Sequence, residues 1–322
     1  MAKEVDIAAL GELLIDFTEA GKSAGGMKLF EQNPGGAPAN MLAVASHMGY
    51  STSFIGKVGK DMQGEFLKKT LENEGIGTQS LIMDEKYFTT LAFVEIDANG
   101  ERNFSFARKP GADTQLLARE LDRELLENCR VFHFGSLSLT DEPAKEATIE
   151  AVNIAKSSNS IISYDPNYRA SLWKNEDIAV CAMKSVIPMV DIMKVSDEES
   201  LLLTGASDYL SAVHELIAMG PKLVAITLGA DGVLISTNNR TEIIKGFKVK
   251  AIDTTGAGDS FWGGFVSSLL SLEKPVEELT GDEIRKCAVQ GNATAALCVQ
   301  KRGGIPAIPS KAEVEKFLKA NF

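Results

Sequence analysis

Residues 253–260 read Asp-Thr-Thr-Gly-Ala-Gly-Asp-Ser and run directly into Phe-Trp-Gly-Gly-Phe-Val-Ser-Ser-Leu-Leu. Small residues at Gly256, Ala257 and Gly258 let the backbone pass close to a ligand. Phe261, Phe265 and Leu269 then recur at i, i+4 and i+8, the spacing of a helix with one buried face. A glycine turn therefore opens into a helix N-terminus, where unpaired N–H groups and the helix dipole favour an anion. Asp259 falls in that first turn. A carboxylate beside an anion hole is awkward unless it does chemistry. The economical reading is that the N–H groups of Gly256, Ala257 and Gly258 hold a transferring phosphoryl group while Asp259 takes the proton from the attacking hydroxyl. The plain alternative is an ordinary helix start, since the dipole alone favours an acidic residue there.

The elements that must position these residues follow from hydrophobic period. Val5–Leu10 reads as a buried strand entering Gly11-Glu12, and 13–18 continues it with Asp16 interrupting. Residues 19–33 are Gly-rich and polar, and Gly35-Gly36 opens a long helix. Residues 52–55 form a strand, and 64–74 an amphipathic helix. The stretches 91–97 and 102–106 flank Ala98-Asn99-Gly100, a hairpin pattern with Asn-Gly at its turn. Strands then alternate with helical segments at 131–134, 161–164, 192–195 and Leu223–Thr227. That alternation implies an α/β chain, doubly wound, with a mostly parallel sheet and helices on both faces. The hairpin and the 13–18 segment do not fit this layer. They are assigned to a small β lid of about 12–33 and 88–109, on a single domain spanning 1–322. In open α/β sheets ligands sit beyond the C-terminal strand ends. The candidates there are Asp16, Gly35-Gly36, Asp165-Pro-Asn167, Ser196 to Glu199, Thr227-Leu-Gly229 and Asp253 to Asp259.

Bulk properties narrow the class. The 322 residues are 44% hydrophobic, enough for a sizeable core, and carry a net charge of −11. That disfavours nucleic acid as a partner, which needs a cationic footprint. Cys129, Cys181, Cys287 and Cys298 form no Cys-x-x-Cys pair, and His47, His133 and His214 complete no zinc spacing. Reduced, mostly buried thiols of a cytoplasmic protein are expected. Lys3, Glu4 and Asp6 charge the N-terminus, so no signal peptide is expected, and no run is long and apolar enough for a membrane helix. Asn40 with Asp16 suggests a polyol site: an amide offers donor and acceptor, and a carboxylate accepts hydroxyl protons. A helix cap and a solvent-facing strand residue are their plain alternatives. Ser196-Asp-Glu-Glu199 also has the spacing of a capping box.

Taken together, these residues resemble the ribokinase-like carbohydrate kinases, the PfkB family. The stretch 253–260 matches the family's C-terminal signature. Gly35-Gly-Ala-Pro-Ala-Asn40, with the alanine-rich helix after it and Gly56-Lys-Val-Gly59-Lys-Asp61, matches the N-terminal one. The resemblance covers essentially the whole chain. Ala37-Pro-Ala-Asn40, Asp165-Pro-Asn-Tyr-Arg169 and His133-Phe-Gly-Ser-Leu-Ser138 are most like the bacterial fructokinase branch.

The resemblance implies an ATP-dependent sugar kinase that moves the γ-phosphoryl group of MgATP to a primary hydroxyl, first of all from D-fructose to fructose 6-phosphate. It implies Asp259 as base, and sugar contacts from Asp16, Gly35, Gly36, Asn40, Arg108 and Arg169. Nucleotide contacts fall on Lys194, Ser196, Glu199, Thr227, Gly229, Gly232, Gly258 and Asn292. Glu199 would position Mg²⁺ through water, and Asp253, Thr255 and Gly303 would form a K⁺ site. Two departures stand out: Ser196 replaces the Asn of the family's Asn-x-x-Glu element, and Ala107 replaces the Tyr common before the lid Arg. An apolar lid face implies a homodimer through paired lids.

Within the same chemistry the rivals are 2-keto-3-deoxygluconate kinase, ribokinase and aminoimidazole riboside kinase. For a sugar acid, Arg108 or Arg169 would bind the carboxylate. A nicotinamide dehydrogenase needs Gly-x-Gly-x-x-Gly after the first strand, and Gly11-Glu-Leu fails that test. A silent sugar sensor should have lost the base, yet Asp259 is intact. A P-loop kinase needs Gly-x-x-x-x-Gly-Lys-Ser/Thr, which this sequence lacks.

Overall fold

Short runs rich in Val, Ile and aromatic residues become the strands of two sheets. The computed structural model describes residues 3–96 and 102–321. Its strands are β1 (Val5–Leu10), β2 (Leu14–Lys22), β3 (Lys28–Gly35), β4 (Thr52–Gly59), β5 (Ile76–Gly77), β6 (Leu81–Asp84), β7 (Leu91–Ile96), β8 (Arg102–Ala107), β9 (Cys129–Gly135), β10 (Ile161–Asp165), β11 (Ile192–Ser196), β12 (Leu223–Thr227), β13 (Gly232–Thr237) and β14 (Arg240–Lys245).

The large sheet runs β14-β13-β12-β11-β10-β9-β1-β4-β5, with β6 beside β4. The pairs from β12 through β4 are parallel. Alternate side chains of these strands enter different cores, as the two-residue period requires. Ile7, Ala9, Val131 and Ile192 join the core under the helices Ala37–His47, Ala257–Leu270 and Gly281–Cys298. Ala8, Leu10, Phe132, Phe134 and Met193 join the other, under Ala144–Ser157, Glu176–Val186 and Tyr209–Ala218. The edge departs from the parallel layer, because β13 and β14 are antiparallel. A parallel crossover needs a dozen or more residues, and the short turn over Gly229–Asp231 allows only a hairpin.

The small sheet has the order β3-β2-β7-β8. β3 takes in residues 28–33 of the stretch read as Gly-rich and polar, and Gly35, read as opening the helix, because antiparallel pairing with β2 satisfies their backbone whatever their polarity. Its register gives the sheet two unlike faces. Asp16 lies opposite Asn33 and Ala92, and Thr18 opposite Val94. On the other face Phe17 stacks on Phe93 at 5.3 Å, and Phe30 meets Phe93 edge-on at 5.9 Å. The turn at Ala98-Asn99-Gly100 lies outside the described residues; the strands it joins pair antiparallel.

The helix Ala257–Leu270 is fixed to the large sheet by one aromatic anchor. Trp262 is fully buried, stacks on Phe265 at 5.1 Å, and donates from Nε1 to Ser163 Oγ on β10 at 2.8 Å. Ser163 Oγ is in turn 2.9 Å from His133 Nδ1 on β9. Burial, with Lys194 nearby, pushes the His133 imidazole down to about 3, so the ring is neutral. This chain of partners sets where the helix begins. Among the described residues no helix is long and apolar enough to cross a membrane.

Candidate active site

A crevice of about 570 Å³ opens between the C-terminal ends of β1, β10 and β11 and the inner face of the small sheet. The helix Ala257–Leu270 points its N-terminus into it. Gly256, at φ 72°, is the N-cap and no side chain caps this end. Ala257 N donates to the Thr254 carbonyl at 3.2 Å, a turn bond that an anion at this helix N-terminus would replace. A Cβ on Gly258 would come within 2.7 Å of Lys194 Nζ, so a larger residue there would displace that ammonium from the turn.

Asp259 lies in the first helical turn and is buried. Its Oδ2 accepts from Asn40 Nδ2 at 2.7 Å, and its Oδ1 from Asn167 Nδ2 at 3.2 Å. Burial and repulsion from Asp165 push its carboxyl up to about 6, against the pull of Lys194 and Asn40. At neutral pH it is a charged, oriented acceptor. Lys194 Nζ lies 2.9 Å from Asp165 Oδ2, both groups buried. Burial alone would lower the lysine pKa, but Asp165, Glu199 and Asp259 outweigh it and keep the ammonium charged.

The capping box read at Ser196–Glu199 forms. Ser196 Oγ accepts from Glu199 N at 3.1 Å, and Glu199 Oε2 accepts from Ser196 N at 2.8 Å. Glu199 Oε1 also accepts from Tyr168 N at 2.6 Å, tying this helix start to the loop after β10. The box thus explains why Glu199 is held at the crevice wall.

On the opposite wall stand Asp16, Thr18 and Asn33 of the small sheet. Gly36 and Asn40 begin the first long helix, and Gly35 sits behind them against the Asp16 carboxylate. Asn40 Oδ1 is buried with no hydrogen-bond partner among the described residues. Arg169 lines the crevice and helps hold Asp259 ionised. Asp253 Oδ1 accepts from Thr255 N at 2.9 Å and from Thr255 Oγ1 at 2.8 Å, while Oδ2 accepts from Gly303 N at 3.0 Å. One carboxylate thereby joins the two loops beside the helix N-terminus.

Two expectations are corrected. Arg108, read as a crevice cation, turns away from it. Its Nε donates to Asp113 Oδ2 at 2.7 Å, and its other nitrogens to Thr140 Oγ1 and the Leu137 carbonyl, each at 2.8 Å. The buried Asp113 carboxylate claims it. Asn292, read as an adenine contact, spends its amide donor on the carbonyls of Ile244 and Lys245, at 3.3 and 3.1 Å, and so ties its helix to β14. Thr227, Gly229 and Gly232 do lie at the C-terminal end of the sheet, but outside the crevice lining.

Two residues were missed. Asn167 stood only as the end of the Asp-Pro-Asn run and was given no role, yet its amide touches the carboxylate of Asp259. Glu12 follows β1 directly, so the rule that gathered the polar residues after each strand should have included it. It lines the crevice at 4% exposure, with Oε1 accepting from Ala37 N at 2.9 Å.

An uncapped helix N-terminus with a buried carboxylate in its first turn, at the end of a doubly wound sheet, is the arrangement of a phosphoryl-transfer enzyme. The chain belongs to the pfkB family of carbohydrate kinases, whose family model matches residues 5–311. It is 38% identical over 325 residues to a probable fructokinase, number 7, of Arabidopsis thaliana, covering 98% of this chain and 93% of that protein. A fructokinase from Xylella fastidiosa with bound ATP superposes with a TM-score of 0.87 at 29% identity, covering 98% of each chain. A fructokinase double mutant from Vibrio cholerae O395, with fructose, ADP and potassium ion bound, gives a TM-score of 0.88 at 29% identity, over 99% of this chain and 100% of that one.

The Arg108 geometry makes a prediction. Replacing Arg108 by Ala strands the Asp113 carboxylate in the interior and should cost about 3–5 kcal/mol of stability. Chemical denaturation measures it. Unchanged stability with a large rise in sugar KM would return Arg108 to the sugar site.

Proposed function

We propose that this protein is an ATP-dependent fructokinase that forms fructose 6-phosphate. The observation that carries the reading is Asp259: a buried carboxylate, held by two amide donors, one turn inside an uncapped helix N-terminus. The sugar hydroxyl gives its proton to Asp259 as its oxygen bonds to the γ-phosphorus, and the bond from that phosphorus to the β-phosphate bridging oxygen breaks. Sugar phosphate and ADP result. The N–H groups of Gly256, Ala257 and Gly258 stabilise charge on the transferring oxygens, and Lys194 adds a fixed positive charge beside them. Asp16, Gly36, Asn40 and Arg169 are the sugar-facing groups, and the small sheet is the lid that excludes water.

The donor set fits a phosphate-bound metal rather than a protein-caged one. Among the described residues no group of three or more His, Cys, Asp or Glu side chains could hold a metal ion. Mg²⁺ is typically held by substrate phosphates and waters with one or two carboxylates, and supplies charge neutralisation at the phosphates. Glu199 suits the outer position. Both of its oxygens take backbone N–H bonds, and each keeps acceptor capacity for a metal-bound water. Asp253 with Thr255 and Gly303 is the corresponding choice for a potassium ion, since this one carboxylate gathers both loops beside the helix N-terminus.

The outer face of the lid supports a homodimer. On that face Phe30 and Phe93 are exposed at 38% and 37%, and Met27, just before β3, is exposed at 72%, an apolar surface that a second lid would cover. Sedimentation velocity should give twice the chain mass, and Phe30→Glu should return monomer. A wild-type monomer at working concentration contradicts the pairing.

ADP release in a coupled assay, with MgATP and a sugar panel, in the presence and absence of potassium chloride, tests the whole reading. Fructose should be preferred over ribose and 2-keto-3-deoxygluconate, potassium should raise the rate, and Asp259→Asn should lose roughly 10²–10⁴ in turnover. Full activity of that variant would remove Asp259 as the base. Preference for the sugar acid would move the specificity to Arg169.

A further inference from the structure

Glu12 is a crevice residue whose chemistry is only half accounted for. It ends the Leu10-Gly11 exit from β1 and is 4% exposed. Its Oε1 accepts from Ala37 N at 2.9 Å. Gly36, the N-cap of the helix Ala37–His47, supplies no side chain to cap it, so Glu12 does this from a distance in sequence. Pro38 in the same turn packs against Gly11, so the strand exit and the helix start form one rigid corner. One oxygen suffices for that task. The other, Oε2, is buried and has no hydrogen-bond partner among the described residues. An orphaned buried carboxyl oxygen is costly, and a purely structural cap does not explain keeping it. Asn40, three residues into the same helix, has its own orphaned buried oxygen, Oδ1, and lines the same crevice.

We propose that Glu12 is a specificity-determining residue of the sugar subsite: Oε1 holds the corner that carries Gly36 and Asn40, and Oε2 hydrogen-bonds one hydroxyl of the acceptor sugar. The inference rests on the sugar-kinase reading above. The class of ligand follows from the group. Burial pushes the carboxyl up to about 7, against the N–H of Ala37 and the nearby Arg108, with Asp113 adding to the rise. Near neutral pH Glu12 is thus both an acid and a carboxylate. A hydroxyl donates and accepts, so it satisfies either form; a second anion, such as a sugar-acid carboxylate, would satisfy only the acid. A site built to bond a substrate hydroxyl rejects the analogue that lacks it, because the site's own polar atom is then left unpaired.

The test is steady-state kinetics of the full chain on D-fructose and on its monodeoxy analogues, for wild type, Glu12→Leu and Glu12→Gln. Wild type should lose about tenfold or more in kcat/KM on one particular analogue. In Glu12→Leu, fructose itself should fall by about that factor, and the handicap of that one analogue should shrink to about twofold, while the handicaps at other positions persist. Glu12→Gln keeps an acceptor for Ala37 N and decides alone if the leucine variant does not fold. Its discrimination should drop at least about threefold at the same position only, since an amide at Oε2 can donate but not accept. An unchanged pattern of handicaps in the folded variants overturns the role of Glu12 and leaves the kinase reading standing. Failure of wild type to phosphorylate any sugar overturns the kinase reading itself.

Discussion

The structure depends on keeping one carboxylate charged in a place that disfavours charge. Asp259 is buried, lies near the Asp165 carboxylate, and is pushed up to about 6 in consequence. Besides Arg169, three things hold it at a usable value. The amides of Asn40 and Asn167 donate to its two oxygens. Lys194, pinned by Asp165 at 2.9 Å, sets a fixed positive charge close by. The helix dipole stabilises an anion in its first turn. Each comes from a different part of the chain, so the sheet must bring them together.

The fold does this by alternation. In β10 Ser163 takes the Trp262 anchor, and two residues on Asp165 takes Lys194 from the next strand. The small sheet uses the same period: one face carries Asp16, Thr18 and Asn33 into the crevice, and the other carries an aromatic cluster outward. A register slip of one residue would exchange crevice wall and outer surface. The polar crevice face and the aromatic outer face are thus coupled through one backbone constraint.

Much of the site was legible because its signals are local. The glycine turn before Phe261 is written in consecutive residues, and the Ser196–Glu199 box lies within one helical turn. β1 and Leu223–Thr227 were bounded correctly by their apolar runs. What was not legible required partners far along the chain. Arg108 could be seen as a cation but not as the partner of Asp113 and of the 137–140 segment. Asn292 could be placed on a helix, but not bonded to β14. β3 lacks a strand composition and is made by its pairing. Glu12 is a charged residue after a strand until Ala37 and the corner around it are in place.

The central claim is that Asp259 must ionise, with a pKa set by Asp165, before phosphoryl transfer can occur. The pH dependence of kcat/KM, which reports ionisations of the free enzyme, tests this most directly. A raised carboxyl pKa means that the active base is lost as pH falls through about 6. Wild type should therefore show an ascending limb near 6. Asp165→Asn, which removes the repulsion, should shift that limb to lower pH. A limb at the ordinary aspartate value of 3.8, or one near 6 that the substitution does not move, would contradict the account.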